Sequence, residues 1–182
     1  FAPIAPRNPV AQLLQTNNRS INRKVFGNLE LDYKFHFLPE LRAVVNLGYD
    51  RDQGYSHNQT SRNSLSGPIR LGLPIGNNEY NEGVGINKLL DAYMVYAKTF
   101  GDLNFDITGG YSYQKFENNG FFTRNQNDPD LVPQFFRGDD VVYVGFFGRT
   151  NLTYKDKYLL TLTYRRDGSS KFDEDNRWAN FP

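Results

Sequence analysis

Apolar and polar residues take turns along much of this chain, and that period of two constrains its fold more than any other feature. From Val25 to Phe37 the odd positions are Val25, Gly27, Leu29, Leu31, Tyr33, Phe35 and Phe37. The even positions between them are Phe26, Asn28, Glu30, Asp32, Lys34 and His36. Successive side chains of a strand point to opposite faces, so this stretch is a strand with one greasy side and one wet side. Leu38-Pro39-Glu40 reads as a tight turn. Leu41, Ala43, Val45, Leu47 and Tyr49 then alternate with Arg42, Val44, Asn46 and Gly48. Pairing Phe37 with Leu41 puts both apolar sets on one sheet face, which a one-residue slip would not do.

Two more hairpins follow the same rule. Leu103, Phe105, Ile107, Gly109, Tyr111 and Tyr113 alternate with Asn104, Asp106, Thr108, Gly110, Ser112 and Gln114. The partner before them turns back at Phe100-Gly101-Asp102, and its register is open. A two-residue turn puts Ala92, Met94 and Tyr96 on the apolar face; a three-residue turn puts Tyr93, Val95 and Ala97 there. In the last hairpin Val144, Phe146, Gly148, Thr150, Leu152 and Tyr154 share a face with Tyr158, Leu160, Leu162 and Tyr164. Lys155-Asp156-Lys157 makes the turn. Arg149, Asn151, Thr153, Thr161, Thr163 and Arg165 lie opposite. The expected strands are residues 23–38, 41–50, 90–100, 103–114, 142–154 and 158–166. Gly, Asn and Pro break the pattern over 51–89, 115–141 and 167–182, which read as long loops.

Short turns and long loops thus strictly alternate. Outer-membrane barrels share this trait, with strands of about 9–11 residues, short periplasmic turns and long extracellular loops. Tyr33, Phe35, Phe37, Phe105, Tyr154 and Tyr158 cluster near the short turns. Tyr49, Tyr111, Tyr113, Phe146 and Tyr164 cluster near the loop ends. Aromatic girdles of this kind mark the two bilayer interfaces. The wet face carries Glu30, Asp32, Lys34, Arg42, Asp106, Arg149 and Arg165, which suit a watery or plugged lumen and would be costly inside a sandwich. The fold class expected is all-β: an antiparallel transmembrane β-barrel segment of about six strands and three hairpins. Six strands do not close a barrel, so a larger one is implied.

Composition narrows the function. The 15 Phe and 12 Tyr of these 182 residues are too many for a disordered chain. Mean hydropathy is −0.64, which leaves no room for a spanning helix. Lys plus Arg total 21 against 20 acids, a balance that argues against a nucleic-acid partner. There is no cysteine, hence no disulfide, zinc ribbon or thiol nucleophile. The chain opens on FAPIAPRNPV, without a leader, and ends at Asn180-Phe181-Pro182 within an aromatic motif, so it reads as an internal piece of a longer protein.

No catalytic constellation is visible, and neither a cofactor nor a metal site is expected. Gly83-Val84-Gly85 lacks the third glycine of a dinucleotide fingerprint and reads as flexible loop. His36, on a strand face, and His57, in a loop, are too far apart in sequence for a metal pair. Asp139-Asp140 and Asp173-Glu174-Asp175 read as solvated loop carboxylates, since neighbours on a strand point apart. No serine sits in a nucleophile elbow. Among the loop aromatics Tyr55, Tyr80, Phe121, Phe122, Phe135 and Phe136, none stands out as a ligand or partner contact. They read as residues that pin loops together or contact a ligand or partner.

Several stretches resemble the SusC-like (SusC/RagA) TonB-dependent transporters of Bacteroidetes. Gly27–Tyr33 (GNLELDY) with Lys34–Arg42 (KFHFLPELR), and Asn46–Asp50 (NLGYD), resemble a barrel hairpin of that family. Tyr158–Phe172 (YLLTLTYRRDGSSKF) resembles its strand-to-loop signature, continued by Asn176–Pro182 (NRWANFP), with Ala179 where Gly is expected. The resemblance implies a barrel of about 22 strands filled by an N-terminal plug. The plug and its TonB box are not recognisable within residues 1–182. It further implies import of glycans or peptides across the bacterial outer membrane, with loops on the extracellular side and lipid around the wall. A SusD-like surface lipoprotein would close the barrel in a two-plus-two assembly, and the TonB complex would pull the plug. Two rivals stay open: a soluble secreted β-sandwich that binds carbohydrate, and a barrel that does not transport.

Overall fold

The computed structural model describes residues 9–64, 69–70, 73–74, 76–123 and 134–182. A short helix, α1 (Pro9–Gln15), leads into β1 (Thr16–Lys34), β2 (Leu41–Thr60), β3 (Ile69–Arg70), β4 (Leu73–Pro74), β5 (Asn77–Phe100) and β6 (Leu103–Thr123). Then come β7 (Gln134–Arg137), β8 (Val141–Tyr154), β9 (Tyr158–Ser169) and β10 (Trp178–Phe181). The hydrogen-bonded order of the main sheet is β1-β2-β5-β6-β8-β9-β10, with β7 also on β6; β3 and β4 pair with each other. Contacts divide the chain into two compact units: residues 1–24, 52–85 and 118–138, and residues 25–51, 86–117 and 139–182.

The second unit holds the three hairpins. Leu103, Phe105, Ile107 and Tyr111 stand directly opposite Tyr154, Leu152, Thr150 and Phe146. Tyr158, Leu160 and Leu162 stand opposite Tyr154, Leu152 and Thr150. Directly paired residues share a face, so one surface of β6, β8 and β9 is apolar, as the alternation requires. The open register is settled by a two-residue turn, Gly101-Asp102, with Gly101 at φ +59°. A positive φ at the first central residue is where a hairpin turn takes glycine. Ala92, Met94 and Tyr96 therefore share the apolar face. Tyr93 lies on the other face, where its Cβ stands 2.5 Å from the place a Cβ on Gly110 would occupy.

The first turn differs in detail from expectation. Phe35 N, not a group of Phe37, donates to Leu41 O at 3.1 Å. Leu41 N donates to Leu38 O at 2.9 Å, closing a β-turn with Pro39 at its second position. The shift is of two residues, so every side chain keeps its face.

The strands are longer than the alternation alone marks. The loop expected over 51–89 is strand up to Thr60 and again from Asn77, and that over 115–141 is strand up to Thr123 and from Gln134 to Arg137. Gly83-Val84-Gly85 lies within β5, not in a loop. The loop expected over 167–182 folds back: β10 pairs antiparallel with β9, Trp178 opposite Gly168 and Phe181 opposite Arg165. Backbone ladders, which need no hydropathy pattern, hold these polar extensions.

Val44 is the only buried large hydrophobic residue among those described, at 2% exposure, while Leu162 is 58% exposed. A soluble sandwich hides the inner faces of two sheets in a core. No such core is present among the described residues, and the apolar face of the sheet is bare. The soluble carbohydrate-binding alternative calls for a second sheet over that face, and none covers it among the described residues.

Candidate functional site

The wet face of the second unit is a hydrogen-bonded network. Asn151 Nδ2 donates to Asp106 Oδ1 at 3.1 Å, and Asn151 Oδ1 accepts from Thr161 Oγ1 at 3.0 Å and from Arg149 Nε at 3.2 Å. Arg42 pairs with Asp32 at 3.3 Å and Lys98 with Glu40 at 3.0 Å. Such a surface suits water, not lipid. Beyond residues 103–114, Glu117 bridges Lys88 at 2.8 Å and Lys115 at 2.9 Å, and Lys115 reaches Asp140 at 2.9 Å. Hydrogen bonds from Lys88 and Lys115 hold the Glu117 carboxyl down at about 2. Bonds to Asp140 and Glu117 raise the Lys115 ammonium. These are structural ion pairs with no free carboxylate set against a base.

The first unit gathers the aromatic residues that sequence alone leaves unranked. Tyr55 of β2 meets Tyr80 of β5 edge-on, with ring centroids 4.7 Å apart. Tyr80 meets Phe121 of β6 at 5.2 Å, and Phe121 stacks on Phe135 of β7 at 5.2 Å. One row of rings thus crosses four strands. Phe122 is directly paired with Gln134 and lies on the opposite face from Phe121. Phe136 stands opposite Gly120, its ring filling the space a Cβ there would need.

Polar groups line the same row. Gln53 Nε2 donates to Glu82 Oε1 at 2.6 Å, and Tyr80 OH donates to Glu82 Oε2 at 3.2 Å. Burial, then the Glu82 charge, pushes the Tyr80 phenol up. Arg19, Arg23, Gln53, Tyr55, Tyr80 and Glu82 surround an open pocket of about 320 Å³. Neither Arg19 nor Arg23 is ion-paired among the described residues. The two arginines and Gln53 were not singled out from the sequence. Their only signal is spacing: Arg19, Ile21 and Arg23 alternate on one face of β1.

The other candidates are placed as follows. His36 sits in the first turn, not on a strand face, 3.1 Å from Tyr33 OH. His57 lies in β2, not in a loop, with Nε2 2.7 Å from Asn78 Oδ1. No group of three or more metal-ligating side chains occurs among the described residues. Asp173 Oδ1 accepts from Glu174 N at 3.0 Å and so starts the 3-10 turn, while Glu174 lies 3.7 Å from Arg177.

No protein-family model matches the chain. The TonB-dependent receptor SusC of Bacteroides thetaiotaomicron is 34% identical over 193 aligned residues, which cover 99% of this chain and 18% of that protein. The TonB-dependent receptor P3 of Formosa agariphila is 32% identical over 169 aligned residues, 82% of this chain and 16% of that protein. Among solved structures, the RagAB peptide transporter superposes with a TM-score of 0.81 at 16% identity, over 99% of this chain and 21% of that one. The RagAB peptide importer in its open-open state superposes with a TM-score of 0.80 at 17% identity. The chain spans about a fifth of the length of the relatives it matches. A sheet greasy on one side and hydrogen-bonded on the other, joined to 34% identity with SusC along 99% of this chain, identifies the chain as a member of the SusC-type TonB-dependent receptor family and a stretch of β-barrel wall.

Proposed function

We propose that the chain serves a TonB-dependent transporter that imports glycans or peptides across the bacterial outer membrane. It supplies lipid-facing wall, lumen wall and extracellular strand extensions. The observation that carries this reading is the 34% identity with SusC in an alignment that covers 99% of the chain, on a sheet whose apolar face is bare. A plug, a TonB box and a SusD-like surface lipoprotein acting as lid belong to the same reading, as does a two-plus-two assembly. The loops and strand extensions beyond the bilayer face the extracellular side.

The test uses the intact receptor in its own cell. An affinity tag on the receptor recovers a surface lipoprotein from mild detergent, and labelled oligosaccharide or peptide enters cells only while the TonB complex is functional. Receptor purified without any lipoprotein, together with uptake indifferent to loss of TonB, would overturn the proposal.

A further inference from the structure

We propose that the pocket framed by Arg19, Arg23, Gln53, Tyr55, Tyr80 and Glu82 in the first unit binds a saccharide carrying a negative charge. This rests on the transporter reading only in assigning the chain to a receptor.

Three properties of the pocket point there together. Its wall includes two half-exposed tyrosines in edge-on contact, Tyr55 and Tyr80. The C–H face of a pyranose is apolar and packs on an aromatic ring, while the phenol oxygens keep a polar tip for hydroxyls. Its lining includes Glu82, oriented by Gln53 at 2.6 Å and by Tyr80 at 3.2 Å. A carboxylate offers about four lone-pair directions, so Glu82 retains acceptor capacity for sugar hydroxyls. Its lining also includes Arg19 and Arg23 against the one carboxylate, a local excess of positive charge. Guanidinium forks match a carboxylate, sulfate or phosphate in planar, two-point fashion. The pocket of about 320 Å³ lies at the small end of ligand sites, which run from about 300 Å³. That is room for one or two sugar units, not a long chain.

An acidic peptide fits less well. Its carboxylates would meet Glu82 as well as the arginines, and it brings few hydroxyl donors. A charged sugar separates the two chemistries around one ring, hydroxyls toward Glu82 and acid toward Arg19 and Arg23. Two sources carry that chemistry: a soluble acidic oligosaccharide, and a phosphorylated sugar borne on an outer-leaflet lipid.

The test measures binding to the purified full-length receptor by calorimetry. The probes are oligogalacturonate, a neutral maltooligosaccharide of equal length, and a glutamate-rich peptide. A fourth arm compares bilayer discs with and without lipopolysaccharide, read as the receptor's thermal midpoint. Binding of oligogalacturonate about tenfold tighter than the neutral chain, lost in the Arg19→Gln/Arg23→Gln double variant and weakened by salt, supports a soluble ligand. A lipopolysaccharide-dependent rise in midpoint that the same double variant abolishes supports the lipid-borne source. Equal binding of acid and neutral chains with no lipopolysaccharide effect overturns the inference. So does charge preference that survives the double variant, or peptide binding as tight as the acidic sugar. The wild-type discrimination between probes stands as a test even if the double variant misfolds. TonB-dependent uptake measured in parallel separates the two readings, since uptake persists if only this pocket has been misassigned.

Discussion

Trp178 lies flat on Gly168, the residue directly opposite it across the β9–β10 ladder. A Cβ on Gly168 would stand 2.9 Å from Trp178 Cε3 and 3.0 Å from Cδ2. The indole also has the Arg166 guanidinium 5.1 Å from its centroid and the Phe146 ring stacked at 6.2 Å. The return of residues 167–182 onto the sheet therefore depends on a missing side chain. Gly168→Ala is expected to push the indole away at a cost of about 1–3 kcal/mol, the range for overpacking. The thermal midpoint of the purified receptor reads it. Added to Trp178→Ala, the same substitution should cost much less, because the clash has gone.

The tight turn of the last hairpin stores strain that can be removed. Lys157 N donates to Tyr154 O at 3.1 Å, and both central residues are left-handed, Lys155 at φ 53° and Asp156 at φ 51°. A side chain there costs roughly 1–2 kcal/mol, less for Asp than for Lys. Replacing the pair by Asn-Gly should stabilise the hairpin by about 1 kcal/mol. Asp156→Val should destabilise it, with the refolding yield of denatured receptor moving the same way.

Acid should loosen the bridge around Glu117. Its carboxyl is held at about 2 against an ordinary 4.5, chiefly by hydrogen bonds from Lys88 and Lys115. A depressed carboxyl stabilises the fold above its unfolded value and loses that contribution as pH falls through the folded one. The stability advantage of the native receptor over Glu117→Gln is thus full above pH about 4.5 and disappears towards pH about 2. Denaturation midpoints of the two proteins across that window check it. A difference independent of pH across that window would show that the Glu117 charge contributes nothing to stability.

The legibility of this fold follows where lipid lies. The turn end of the β8–β9 hairpin is readable to the residue, with Tyr154 opposite Tyr158 across Lys155-Asp156-Lys157, because lipid demands strict alternation; β9 runs on to Ser169, past the expected end at 166. The β5–β6 register was not, because both faces of residues 92–97 carry bulk; Gly101 at φ +59° decides it. The strand extensions were missed for a different reason. Residues 51–60 and 77–83 are mostly polar at both odd and even positions, so hydropathy has no period to show there. They are held instead by cross-strand pairs such as Gln53–Glu82 and Tyr55–Tyr80. The candidate pocket was half legible: Tyr55 and Tyr80 stood out as loop aromatics, whereas Arg19 and Arg23 join them only through the pairing of β1 with β2.

The central claim is that the face bearing Leu160, Leu162 and Tyr164 meets lipid while Thr161 and Thr163 meet water. Spin labels placed singly at 160 to 164 in the full-length receptor, reconstituted in bilayers, test it directly. Collision with oxygen should be high at 160, 162 and 164 and low at 161 and 163, with a water-soluble nickel chelate showing the reverse. Uniform accessibility along the five positions, or the opposite alternation, would contradict the account.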